Sequence, residues 1–326
     1  MRYSRVGSSG LVVSRVGLGM MSYGDTSRRA WHLDADAALP LVRAAAEAGV
    51  TFFDTADMYD QGASEEVTGT LLREVFGSRD DYVLATKVYF PTGDAPTSRG
   101  LSRKHLHAAV DASLRRLGTD HIDLYQIHRW DDATPIEETM CTLDELVRAG
   151  KIRYPGASSM YAWQFAKAQY TARAHGWSGF VSMQNLYNLA YREEEREMIP
   201  LCRDLGVGVL PYSPLARGFL TGSRTRGGGR STVRGRSDPL AEEHYTDDDF
   251  TVVDTVAEVA RERGVPPAQV ALAWLQGRPG VVSPIVGVTR PAHLDDAVAA
   301  VELELDDAEV RRLEAPYRPH PVLGHG

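Results

Sequence analysis

The chain has 326 residues and a formal net charge of −8, with 43% hydrophobic and 25% charged residues. That is enough apolar material for a sizeable core, and the acidic balance argues against nucleic acid or an anionic membrane as a main partner. No apolar run reaches transmembrane length, no apolar stretch follows the basic start MRYSRVGSSG as a secretory signal requires, and the two cysteines, Cys141 and Cys202, fit a reducing cytoplasm.

The opening RYSRVGSSGLVVSR reads as a β-hairpin turning on Ser-Ser-Gly. After it one pattern recurs: a short apolar run, a polar loop, then a stretch with helical periodicity. The apolar runs predict strands near 16–18, 52–54, 82–87, 122–128, 152–158, 181–184, 208–212 and 282–286. The clearest helix is LSRKHLHAAVDASLRRLG, with Leu106, Val110, Leu114 and Leu117 on one face, Ser102 as N-cap and Gly118 as stop. In TPIEETMCTLDELVRAG, Thr134 is the expected N-cap, Pro135 the first turn, Glu137 the return half of a capping box and Gly150 the stop.

Repeated β–α units with no strand-only section predict an α/β fold with a parallel sheet. Eight of them close naturally into a (β/α)8 TIM barrel, here with an N-terminal β-hairpin over one end and additional helices; an open doubly wound sheet is the alternative. No compositional break divides the chain, so 1–326 reads as one domain. Within it, 217–249 reads as a long loop. Its stretch SRTRGGGRSTVRGRSD holds five arginines and four glycines, which fits a solvated loop equally well as one that orders on a ligand.

Polar or ionisable residues end six successive apolar runs: Asp54, Lys87, His128, the pair Ser158 and Ser159, Gln184, then Tyr212 with Ser213. In a (β/α)8 barrel the strand ends gather at one mouth, where active sites lie. Lys87 follows the run YVLAT and needs a carboxylate partner if buried; Asp54 on the neighbouring strand supplies one. Alone, that pair reads sooner as a core salt bridge than as part of a site. Tyr59, in the loop directly after Asp54, adds chemistry, because an ammonium beside a tyrosine hydroxyl favours its phenolate and makes it a better proton donor. His128 can hydrogen-bond beside it.

These stretches resemble the aldo-keto reductase family along nearly the whole chain. FFDTADMYDQGASEEVTGTLL is similar to the family motif in which the catalytic Tyr follows an Asp by five residues, LATKV to the one carrying the Lys, and DLYQIHRWD to the one carrying the His. The resemblance implies Asp54, Tyr59, Lys87 and His128 as a catalytic tetrad and NADP(H) as cofactor. It implies that Ser158, Ser159 and Gln184 bind the nicotinamide carboxamide and that Tyr212 stacks on the ring. Ser213, Leu215 and Arg217 then follow the pyrophosphate, while Gly287, Thr289, Arg290, His293 and Asp296 take the adenosine 2′-phosphate end. A helix start after strand eight suits a phosphate on physical grounds as well, since its amides are unpaired.

Departures from the family pattern are Pro155 in the fifth strand, where it removes a ladder donor, Ala297 for an asparagine near the adenine, and His293 for a glutamine. The arginine-rich loop resembles the longer-looped branch, which includes reductases similar to potassium-channel β subunits; there Arg224 or Arg226 is expected to reach the cofactor phosphates. Met20, Met21, Tyr89 and Trp130, apolar or aromatic beside strand ends, are expected to line a pocket for a small-molecule carbonyl or alcohol substrate.

The alternative function is a cofactor-binding regulatory protein with slow turnover. A metal-dependent barrel hydrolase is disfavoured because no set of three ligands converges, so no metal is expected. A dinucleotide-binding fold of the Rossmann type is disfavoured because no G-x-G-x-x-G follows a strand. The sequence leaves the substrate, the reaction direction and the oligomeric state open.

Overall fold

The computed structural model describes residues 1–223, 226 and 245–325. A hairpin of β1 (Tyr3–Arg5) and β2 (Val12–Ser14) precedes β3 (Gly17–Gly19), α1 (Ala35–Glu47), β4 (Phe52–Asp54), α2 (Ala63–Val75), β5 (Val83–Val88) and α3 (Arg103–Leu117). There follow β6 (Ile122–Ile127), α4 (Ile136–Arg148), β7 (Ile152–Ser158), α5 (Ala162–His175), β8 (Ser182–Gln184), α6 (Met198–Asp204) and β9 (Gly208–Val209). The rest comprises α7 (Phe250–Arg263), α8 (Pro267–Gln276), β10 (Ile285–Gly287), α9 (Pro291–Ala299) and α10 (Asp307–Glu314). Of the loop expected over 217–249, residues 224, 225 and 227–244 lie outside the described residues, Arg224 among them.

Eight parallel strands run in the order β10, β3, β4, β5, β6, β7, β8, β9. The two edges then meet: Val282 N donates to Val209 O at 2.9 Å and Ile285 N to Pro211 O at 2.8 Å. The sheet is therefore a closed (β/α)8 barrel with helices outside it. Pro155 lies inside β7 without breaking it. Its carbonyl accepts from Val181 N at 3.0 Å, on the side facing β8. The proline nitrogen faces the same side, at a level before β8 begins at Ser182.

Local signals explain most helix ends. Ser102 accepts a hydrogen bond from His105 N at 3.3 Å, and Gly118 ends α3 with φ 64°. Thr134 differs from expectation. It is not the cap of α4, whose N-cap is Pro135 with no side-chain bond, because its hydroxyl donates to Asp131 Oδ2 at 2.7 Å instead.

Period-two alternation divides each strand between the barrel interior and the sheet–helix layer. Phe52, Ala85, Leu124, Leu210, Val282 and Ile285 form an apolar interior cluster, and Val6 and Val13 of the hairpin region close it from below. Two residues further along the same faces come Asp54, Lys87 and Gln126, so the interior changes from an apolar layer to a polar one within one step. Gly156 makes room for this. A Cβ there would lie 2.6 Å from Ser182 Oγ, 2.9 Å from Gln126 Cγ and 3.0 Å from Leu124 Cδ1. A Gly156→Ala variant should lose about 1–3 kcal/mol by overpacking, visible in urea denaturation as a lower midpoint at unchanged slope; an unshifted midpoint would show that the interior yields freely.

Candidate active site

The polar layer is organised around a buried ion pair. Lys87 Nζ donates to Asp54 Oδ2 at 2.5 Å, to Thr55 O at 2.8 Å and to Tyr59 Oη at 3.4 Å. These three acceptors use all three ammonium protons. The second carboxylate oxygen, Asp54 Oδ1, accepts from Gln126 Nε2 at 3.0 Å and from Gln184 Nε2 at 2.9 Å. Lys87 is fully buried. Burial alone would lower its pKa, but Asp54 and Tyr59 outweigh it and hold the ammonium above its usual range.

His128 stands beside the tyrosine, with ring centroids 5.9 Å apart and planes at 81°. Phe90 packs edge-on against its other side at 4.9 Å. Burial, then the charges of Lys87 and Arg129, hold His128 well below the usual imidazole range, so the ring is neutral at neutral pH. Its Nδ1 is buried with no hydrogen-bond partner among the described residues. An orphaned N–H is worse than an orphaned lone pair, which assigns the proton to Nε2.

The expected cofactor residues of β7 to β9 form one cluster. Ser158 Oγ donates to Gln184 O at 2.9 Å, and Ser159 Oγ lies 3.4 Å from both Ser158 Oγ and Tyr212 Oη. Both N–H groups of Gln184 point inward, to Asp54 and, at 3.3 Å, to Gln126 Oε1. Its own Oε1 is therefore the atom it can offer a ligand. Ser213, Leu215 and Arg217 follow Tyr212 and are partly exposed. Across the mouth, Thr289, Arg290 and His293 gather at the start of α9. His293 Nδ1 is 3.3 Å from Thr289 N, and its Nε2 is 2.9 Å from Arg290 Nη2. A neutral imidazole has one acceptor nitrogen, so only one of these contacts is a hydrogen bond at a time. Gly287 at the end of β10 is exposed, while Asp296 accepts from Gln269 at 2.9 Å. Arg226 pairs with Asp254 at 2.6 Å.

Backbone conformation marks the same region. The non-glycine residues with positive φ among the described residues are Asp60, Gln61, Ser159, Ser213, Ala216 and Arg217. All follow strands at the mouth, where strained backbone is concentrated in functional sites.

The expected pocket residues divide. Met20 is fully buried in the sheet–helix core and presents no surface to a ligand, whereas Met21, Tyr89 and Trp130 keep part of theirs. Tyr89 packs on Phe90 at 5.2 Å, and Trp130 lies 6.0 Å from Trp163, which is 60% exposed. Among the described residues no three His, Cys, Asp or Glu side chains gather as a metal site needs, and no helix is long and apolar enough to cross a membrane.

Residues 15–318 match the model of the aldo/keto reductase family. The chain belongs to that family. This aldo-keto reductase is 43% identical to a versiconal hemiacetal acetate reductase of Aspergillus parasiticus, over 99% of this chain and 98% of that one. It is 42% identical to an aldo-keto reductase of Fusarium vanettenii over 99% and 93% of the two chains. With a putative aryl-alcohol dehydrogenase of Schizosaccharomyces pombe it shares 41% identity over 99% and 97%. The aldo-keto reductase fold and these relatives make the protein an oxidoreductase.

Sequence reasoning missed several polar residues of the aldo-keto reductase site. Gln126 was legible as a polar residue two before His128, hence on the same strand face. Asp57 carried no comparable signal. It is 1% exposed, both its carboxylate oxygens lack hydrogen-bond partners among the described residues, and burial and then Glu65 push it well above the usual carboxylate range. His128 offers a test of the electrostatics. In the unfolded chain an imidazole titrates near about pH 6.5, while the folded ring resists the proton. The unfolded state thus holds the extra proton below that pH, so the linked stability is present above about 6.5 and lost on acidification. The wild-type Tm should fall more steeply between about pH 7 and about pH 5 than that of His128→Gln; equal slopes would mean that His128 charges freely in the fold.

Proposed function

We propose that this protein is an NADP(H)-dependent reductase of aldehydes and ketones in which Tyr59 is the proton donor. The observation that carries the reading is the third bond of Lys87, to the Tyr59 oxygen, with neutral His128 across the tyrosine ring. A fixed ammonium at that oxygen stabilises the negative charge that develops as the phenolic proton leaves.

The residues present fit a phosphorylated dinucleotide. Ser158, Ser159 and Gln184 Oε1 would hold an amide, Tyr212 would support an aromatic ring, and Ser213, Leu215 and Arg217 would follow the pyrophosphate. Thr289, Arg290 and His293 at the start of α9 would take a phosphate, with Gly287 and Asp296 beside them. An incoming anion there would give Arg290 and Thr289 N acceptors that His293 cannot offer both at once. When bound, the reduced nicotinamide supplies the hydride.

The chain's own groups do the rest. His128 donates from Nε2 to the carbonyl oxygen, which polarises and orients it. Tyr59 gives that oxygen its proton, and the alcohol forms. Lys87 holds the resulting charge, and Asp54, itself fixed by Gln126 and Gln184, holds Lys87. Oxidation of an alcohol retraces these steps. Phe90 packs on His128 and Tyr89 packs on Phe90, which gives the approach an aromatic side and favours a substrate with an aryl face. The relative named as an aryl-alcohol dehydrogenase supports this choice.

Fluorescence titration of the purified protein should give tight binding of NADPH and much weaker binding of NADH; equal affinity would remove the 2′-phosphate assignment, and binding of neither would remove the whole reading. With an aromatic aldehyde and NADPH, Tyr59→Phe should lose roughly 10²–10⁴-fold in kcat while keeping Tm and NADPH affinity. Near wild-type turnover would take the proton-donor role from Tyr59.

A further inference from the structure

Tyr59 leads into a turn of unusual backbone. Asp60 (φ 50°, ψ 38°), Gln61 (φ 56°, ψ 36°) and Gly62 (φ 95°) are left-handed in succession, and only the last is a glycine. Residues with a Cβ avoid that region unless something outside the turn holds them there. The far end is fixed locally. Arg116 lies across Gly62, where a Cβ would sit 2.7 Å from Arg116 Cδ, and Arg116 is tied to buried Glu65 at 2.7 Å. Gln61 is exposed, and no side-chain hydrogen bond restrains it among the described residues.

Asp60 is held from a different loop. Its carboxylate is 3% exposed, and Oδ2 accepts from Asp25 N at 2.6 Å. Arg28 Nη1 donates to Asp60 O at 2.9 Å and lies 3.6 Å from Oδ1, while His32 Nδ1 is 3.6 Å from Oδ2. Gly24 permits the approach, since a Cβ there would stand 2.5 Å from Asp60 Oδ2. The loop between β3 and α1 thus grips the residue directly after the tyrosine.

We propose that Asp60 is the positioning residue for Tyr59: its buried carboxylate, gripped by Gly24, Asp25, Arg28 and His32, holds the left-handed turn that folds the Tyr59 hydroxyl onto Lys87. This rests on the reading of Tyr59 as proton donor. Without the grip the turn relaxes towards ordinary conformations, and the hydroxyl leaves its place 3.4 Å from Lys87 Nζ.

Three variants test it: Asp60→Gly keeps the left-handed backbone accessible but removes the carboxylate, Asp60→Asn keeps an acceptor for Asp25 N, and Gly24→Ala drives a methyl into the grip. With an aromatic aldehyde and NADPH, Asp60→Gly should lose about tenfold to a hundredfold in kcat, as small misplacements of reacting groups do, with KM and NADPH affinity unchanged. Asp60→Asn should restore most of it. Gly24→Ala should lose kcat and Tm in the wild-type background and neither further in Asp60→Gly, because the two changes act on one contact. Wild-type kcat in Asp60→Gly, an Asn no better than Gly, or additive Tm losses would each overturn the proposal. If the wild-type protein reduces no carbonyl, the functional reading fails by itself, and the Tm cycle still decides whether Asp60 and Gly24 form one clamp.

Discussion

The polar layer inside this barrel is arranged around an ammonium that is fully buried. A buried Lys–Asp pair is favourable only when its remaining protons and lone pairs are also satisfied. Lys87 meets that condition with three acceptors, and Asp54 meets it with one ammonium and two glutamine amides. The pair therefore dictates what may stand nearby. Gln126 and Gln184 must face inward, Thr55 must offer its carbonyl, and the Tyr59 oxygen completes the set. On the proposed reading, the acidity of Tyr59 is a consequence of an electrostatic problem solved in the interior.

The barrel geometry makes that solution cheap to assemble. Parallel register sets Lys87 level with Gln126, Asp54 level with Ala85 and Gln184 level with Ser158, and the side chains of Asp54, Gln126 and Gln184 then meet inside the barrel. The loops that follow have the opposite character, departing from regular backbone at six residues with side chains. Rigid strands fix where the charge sits, and strained loops fix what is brought to it.

Much of this was legible in the sequence. Strand ends at Asp54, Lys87, His128 and Gln184 could be read because apolar runs stop there, and period-two alternation then assigns a face. The barrel followed from eight repeated units. Other features left no local trace. Thr134 has the residue type and position of a helix cap, yet Asp131, three residues earlier, captures its hydroxyl. Met20 stands at a strand end but turns into the helix layer, a choice made by packing. The burial of Asp57 and the contacts of Asp60 depend on other loops and helices, and on the proposed reading the left-handed conformation of Asp60 is set by residues 24 to 32. Such contacts between distant segments have no periodicity to betray them.

The hairpin at the start of the chain has a consequence for proton traffic. With Val6 and Val13 beneath the apolar layer of Phe52, Leu124 and Ile285, the barrel is a vessel with one opening. On the proposed reading, a proton that Tyr59 gives away is not replaced through this apolar floor. It must return through the mouth that admits the substrate, so reloading the acid and releasing the product share one door.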